Sequence, residues 1–181
     1  TWLLDVWARL RAAMVADAER PDGRTVALLA GVFANAGTLL AEAIRRFPFD
    51  TLLLAVNAAD KHYLSFIDHL LPLAVEKQMG IIGMKIPARG RILAPAVTSE
   101  QPAPGPDGAA PGPGLTMREA MHYVLSLPVA TIIVGCDSVA QLEENVRLAR
   151  EFQPLDSMQM AELVERTRPI HREALFFRNW S

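Results

Sequence analysis

The chain has 181 residues, 51% of them apolar, and a formal net charge of −2. This length and composition are typical of one domain with a hydrophobic core. The near-neutral charge argues against nucleic acid as the main partner. A single cysteine excludes a disulfide framework, and also a zinc ribbon or an iron–sulfur cluster held by this chain alone. No apolar run reaches the ~18 residues of a membrane helix, so we expect no membrane partner either.

The chain begins with Thr1 rather than Met, and no signal-peptide pattern follows it. We interpret this start as a fragment or processing boundary, so the sequence gives no information on a targeting signal. The cytoplasm is the compartment that we expect for a protein of this class.

A buried strand followed by a helix is predicted four times in chain order. After a first helix over residues 1–20, apolar runs predict strands at 26–33, 50–57, 80–86 and 130–135. The composition of the first of them, at 26–33, suits a strand covered on both faces. Helical spacing and capping signals predict helices at 39–47, 63–78, 116–127, 138–152 and 157–168. The alternation indicates an α/β fold with a parallel sheet. A doubly wound sheet and part of a (βα)₈ barrel both satisfy it.

Residues 94–114 interrupt this pattern. They hold six of the 13 prolines and four of the 11 glycines of the chain. A segment of this composition cannot bury enough apolar surface to fold, so we expect a disordered Pro/Gly-rich insertion at the surface.

Two stretches resemble a known family. Residues 132–145, IIVGCDSVAQLEEN, resemble the last strand and helix of the aldo-keto reductases, and residues 80–90, GIIGMKIPARG, look like the seventh strand and its loop. Residues 50–57 are similar to the sixth strand, and residues 1–33, more weakly, to the fourth helix and fifth strand. The resemblance implies that residues 1–181 form the C-terminal half of a (β/α)₈ TIM barrel, with about four βα units and a C-terminal helix.

The same resemblance implies a function. The chain looks like the cofactor-binding half of an NAD(P)H-dependent reductase that acts on a small-molecule carbonyl substrate. The family's catalytic Asp, Tyr, Lys and His belong to earlier strands, so no catalytic residue is assigned, and the missing N-terminal half of the barrel is an expected partner. The alternative is a non-catalytic nucleotide-binding or interaction module with a reductase-like fold.

The expected cofactor site combines the physics of a helix start with the family resemblance. The helix that begins after Ser138 offers unpaired backbone N–H groups to an anion, and Gly135 allows the backbone to approach a ligand. The resemblance implies that Gln141 and Asn145 contact the adenine and that Arg91 or Arg89 supplies charge to a phosphate. The full expected set is Lys85, Ile86, Pro87, Ala88, Gly90, Arg91, Gly135, Cys136, Asp137, Ser138, Gln141, Glu144 and Asn145. A simple capping interaction of Ser138 with Gln141 explains the same spacing without a ligand.

Two further expectations concern the cofactor and the assembly. Asp137 stands where the family commonly has a small hydroxyl residue, and a carboxylate there would repel a 2′-phosphate. The cofactor is therefore expected to be NADP or NAD, without a choice between them. A half barrel also leaves two open strand edges, so the isolated chain is expected to be unstable or to dimerise through them.

Overall fold

The computed structural model describes residues 28–31, 36–94 and 114–178, with side chains from residue 40 onward. The predicted first helix, the ends of the first strand and residues 95–113 of the insertion lie outside these ranges. No helix within them is long and apolar enough to cross a membrane.

Four parallel strands form one sheet, as the sequence predicts. The strands are β1 (Leu28–Gly31), β2 (Thr51–Ala55), β3 (Gly80–Met84) and β4 (Thr131–Ile132). They pair in the order β1-β2-β3-β4, so each strand lies beside its neighbour in sequence. The last strand is shorter than predicted because only the backbone N–H of Ile133, bonded to the Gly83 carbonyl at 2.8 Å, continues the ladder.

The helices follow the predicted order, with one exception. They are α1 (Ala36–Arg46), α2 (Phe66–His69), α3 (Leu71–Glu76), α4 (Met117–Leu125), α5 (Val139–Arg150), α6 (Ser157–Thr167) and α7 (His171–Ala174). The single helix predicted over 63–78 is instead two short helices, α2 and α3, which follow a 3₁₀ turn (Ala58–His62). The prediction that Pro72 opens the main part of this helix is confirmed. Leu64 has a left-handed φ of 46°, which stops a helix there. Pro72 lies in the first turn of α3, where its missing N–H has no consequence.

The predicted capping signals are confirmed. Thr116 and Glu119 form a reciprocal capping box at the start of α4. The Ser138 hydroxyl accepts from the Gln141 backbone N–H at the start of α5. Asp156 begins α6 by accepting from two backbone N–H groups. Each cap satisfies donors that the helix itself leaves without partners.

The sheet has one well-covered face. Leu52, Leu54 and Ile81 are buried on the side that packs against the helices, and a Cβ at Gly83 would lie 3.1 Å from a Val124 methyl group of α4. On the opposite face Leu53 and its register partner Ile82 are only half-buried. Within the described part of the chain no element covers this second face. The prediction of cover on both faces concerns the strand at 26–33, whose side chains lie outside the described residues.

The boundaries of the insertion meet in space. Leu93 and Leu115 form an isolated parallel bridge, and the Ala94 N–H donates to the Leu115 carbonyl at 2.9 Å. Arg166 of α6 donates to the Gly114 carbonyl at 2.8 Å. The chain therefore leaves and re-enters the fold at adjacent points.

A buried ion pair joins the turn after β2 to the end of the described chain. The Asp60 carboxylate contacts the Arg178 guanidinium, and both side chains have no solvent exposure. Asp60 also accepts from the Ser65 hydroxyl at 2.8 Å and from the Ile67 backbone N–H at 2.9 Å. The guanidinium carbon lies 3.8 Å from the centre of the Phe66 ring. This pair holds the C-terminal segment against the core.

We expect Arg178→Met to lower the free energy of unfolding by about 3–5 kcal/mol at pH 7, because it leaves the Asp60 carboxylate buried without a counter-charge. Burial already raises the pKa of Asp60, and loss of Arg178 raises it further. A carboxyl group whose pKa is higher in the folded than in the unfolded state stabilises the fold at pH values below its unfolded-state pKa. This stabilisation is lost as the pH rises through its folded-state pKa. The deficit against wild type should therefore shrink between pH 7 and pH 4.

Urea denaturation at both pH values measures this deficit. Arg168→Met is the matched control, because its ion pair with Glu165 is exposed and should contribute less than about 1 kcal/mol. Equal stability of Arg178→Met and Arg168→Met would show that the buried pair does not hold the segment.

Candidate functional site

The loops that follow β3 and β4 meet at the carboxyl ends of the strands. The segment after β2 supports them: buried Asn57 donates from Nδ2 to the Lys85 carbonyl at 3.2 Å. Its Oδ1 accepts from the Ala59 backbone N–H at 3.0 Å. One amide thus begins the 3₁₀ turn after β2 and fixes the first residue after β3.

The loop after β3 has an unusual backbone. Lys85, Ala88 and Arg89 have φ values of 61°, 49° and 57°, and Gly90 follows with 81°. Non-glycine residues in the left-handed region are strained, and such strain is concentrated at ligand clamps and active sites. Ala88 contributes no exposed surface, and its N–H donates to the Lys85 carbonyl at 2.9 Å. These contacts hold the strained conformation.

Two adjoining cavities lie between this loop and the loop after β4, and we call them together the carboxyl-end cleft. One, of about 320 Å³, is lined by Pro87, Arg89, Gly90, Leu93, Met117, Val134, Gly135, Asp137, Gln141, Glu144 and Asn145. The other, of about 420 Å³, is lined by Met84, Lys85, Pro87, Arg89, Ile133, Gly135 and Asp137. Four residues line both cavities, so one ligand could extend from one to the other.

The start of α5 forms one wall of the carboxyl-end cleft. The Gln141 side-chain carbonyl accepts from the Asp137 backbone N–H at 2.7 Å. The Asn145 amide donates to the Cys136 sulfur at 3.2 Å. These contacts orient both amides and leave the Gln141 NH₂ group and the Asn145 carbonyl to bond a ligand.

Eight of the thirteen predicted residues line the carboxyl-end cleft. They are Lys85, Pro87, Gly90, Gly135, Asp137, Gln141, Glu144 and Asn145. The other five do not line it. Ile86 and Ala88 are wholly buried in the core, where no ligand reaches them. The Arg91 guanidinium lies 4.5 Å from the centre of the Phe176 ring. Cys136 and Ser138 are exposed, and they contact Asn145 and Gln141.

The sequence reasoning missed some supporting residues and underestimated one. Arg89 lines both cavities, although it was only the second choice for a phosphate ligand. Its position directly before Gly90 in a loop after a strand is a signal that could have favoured it. Asn57 and Phe176 support the two ends of the loop after β3, through the Lys85 carbonyl and the Arg89 and Arg91 guanidiniums. No local motif marks this role for Phe176, because it contacts the loop only in the folded chain.

The carboxyl-end cleft fits an extended anionic ligand. The Lys85 ammonium and the Arg89 guanidinium form no ion pair with the described carboxylates. A Cβ built on Gly135 would meet no atom within 4 Å, so this glycine leaves room along the wall that both cavities share. A diphosphate beside these two cations satisfies their charges.

Asn57→Ala should lower the free energy of unfolding by about 1–3 kcal/mol, because the buried Ala59 N–H loses its partner. The Lys85 carbonyl keeps only its bond from the Ala88 N–H. Chemical denaturation followed by circular dichroism measures this change. Asn145→Ala is the matched control: its side chain is only half-buried and bonds the exposed Cys136 sulfur, so little change is expected. A loss that is no larger for Asn57→Ala than for the control would remove Asn57 from its supporting role.

Comparison with family models and with curated proteins finds no match. Two solved structures of an aldo-keto reductase from Bacillus halodurans do match. The holo form has a TM-score of 0.54 and 17% identity over 72% of this chain and 45% of that one. The apo form has a TM-score of 0.53 and 19% identity over 76% of this chain and 49% of that one. The chain spans about half the length of these structures, and over that length it has an aldo-keto reductase-like fold.

Proposed function

We propose that this chain is the cofactor-binding half of an NAD(P)H-dependent carbonyl reductase. The observation that carries the proposal is the carboxyl-end cleft, which brings eight of the predicted cofactor residues together beside Arg89. The family of the structural neighbours supports the reaction class. Catalytic sites of barrel enzymes lie at the same end of the strands.

The residues of the cleft match the parts of a nicotinamide dinucleotide. Lys85 and Arg89 supply the positive charge that a diphosphate needs. Gln141 and Asn145 retain a donor and an acceptor, which suit the hydrogen-bonding edge of an adenine. When bound, the cofactor supplies a hydride for a carbonyl carbon. The chain's own part is to bind and orient it.

A partial barrel is the architecture that we propose. The strand order β1-β2-β3-β4 has no reversal, whereas a doubly wound sheet has a switch point. The half-buried face of Leu53 and Ile82 is apolar, as the interior of a barrel is. The share of the neighbouring structures that the chain covers supports the same conclusion.

The proposed partner is the polypeptide that completes the barrel with strands and helices of its own. Helix α5 follows the edge strand β4 in the chain and exposes an apolar stripe of Val139, Leu142 and Val146. Within the described residues only Leu148 of this helix is buried. An incoming strand on β4 and a helix on this stripe would bury both. The proton donor and the binding loops for the carbonyl substrate are then part of that partner.

The first test is calorimetric titration of the chain with NADH and with NADPH. Arg89→Ala should weaken binding of the preferred cofactor by about tenfold to a hundredfold, because it removes one charge-assisted contact worth about 1.5–3 kcal/mol. Arg150→Ala is the matched control, since Arg150 lines a cavity on the other side of α5 and should leave the affinity unchanged.

Absence of binding by the folded chain would contradict the proposal. Equal effects of Arg89→Ala and Arg150→Ala would place the cofactor elsewhere. Binding without reduction of any carbonyl by the completed barrel would favour the non-catalytic nucleotide-binding module.

The isolated chain should self-associate through the apolar stripe of α5. Sedimentation should show assemblies larger than a monomer, and Leu142→Lys combined with Val146→Lys should reduce them, because the added charges would have to be buried. Val75→Lys is the matched control, at an apolar residue of α3 with a similar exposed fraction of 49%. A monomeric wild-type chain, or an equal effect of Val75→Lys, would contradict this role of the stripe.

A further inference from the structure

We propose that the carboxyl-end cleft selects a dinucleotide with a free 2′-hydroxyl on its adenosine ribose, and that Asp137 is the residue that rejects a 2′-phosphate. The inference rests on the proposed function and deepens it, because it distinguishes NADH from NADPH. It is carried by the distribution of charge around the cleft.

The two walls of the cleft carry opposite charges. Lys85 and Arg89 belong to the loop after β3, whereas Asp137 and Glu144 belong to the α5 side. Among the described residues, no ion pair connects the two walls. A ligand that complements both walls places its anionic groups beside Lys85 and Arg89. It places neutral hydrogen-bond donors beside Asp137 and Glu144.

Among the described residues, no cation on the α5 side of the cleft neutralises Asp137. The Arg147 guanidinium lies 3.9 Å from the Glu144 carboxylate, but its closer contact is to Glu151 at 3.1 Å. Arg150 lines the cavity on the far side of the helix. The Asp137 carboxylate has no cation within ion-pairing distance among the described residues.

The N-terminus of α5 offsets only part of this negative charge. A helix start is equivalent to about half a positive charge, whereas Asp137 and Glu144 together carry about two negative charges at neutral pH. The Asp137 backbone N–H donates to the Gln141 side-chain carbonyl, and this bond fixes the backbone that carries the Asp137 carboxylate beside the cleft. A phosphate monoester adds about −1.5 to −2 charges there and is repelled, whereas a hydroxyl donates to the carboxylate.

The test compares two probes that differ only in the 2′-phosphate: ADP-ribose and 2′-phospho-ADP-ribose. Neither contains nicotinamide, so binding does not depend on the rest of the barrel for that ring. By calorimetry, wild type should bind ADP-ribose about tenfold or more tightly than the phosphorylated probe, as expected for a unit charge at contact distance near a surface. Asp137→Asn should lower this ratio about tenfold.

Glu143→Gln is the matched control. It removes the same charge from an adjacent part of α5, but Glu143 lines the cavity on the opposite side of the helix, so the ratio should remain at the wild-type value. Equal binding of the two probes by wild type, or a ratio that Asp137→Asn leaves unchanged, would overturn the inference and leave the proposed function intact. Binding of neither probe would overturn both.

Discussion

The ion pair between Asp60 and Arg178 is the interaction on which the arrangement of the site depends. It fixes the last described residues of the chain against the turn that follows β2. Phe176 is two residues before Arg178, and its ring centre lies 5.1 Å from the Arg89 guanidinium and 4.5 Å from that of Arg91. A buried charge pair, remote in sequence, therefore positions the cation that faces the cleft.

The same turn controls the other end of the loop after β3. Asn57, which donates to the Lys85 carbonyl, lies three residues before Asp60 in the chain. Both ends of a strained loop are thus held from one short segment after β2. Left-handed residues persist where their surroundings determine the backbone completely, and here those surroundings are an amide at one end and an aromatic ring at the other.

The sequence predicted what short-range rules control. Strand β2, the cap at Thr116 and the cap at Asp156 follow from apolar runs and from side chains placed three residues before a backbone N–H. The cleft could be predicted only from the family resemblance, since Lys85 alone would be interpreted as an ordinary surface lysine. The pairing of Asp60 with Arg178 joins residues 118 positions apart, and no periodicity encodes such a contact. The left-handed residues of the loop likewise depend on tertiary contacts, because nothing in a KIPAR sequence requires them.

The bridge between Leu93 and Leu115 makes the geometry of the site independent of the length of the insertion. Leu93 lines the cleft, yet its position is fixed by a contact with the other boundary of the insertion. Closing a longer loop between two fixed points costs only about 0.6 kcal/mol for each doubling of its length. The stretch between these two boundaries can therefore change in length during evolution without moving Leu93 or the frame that binds the ligand.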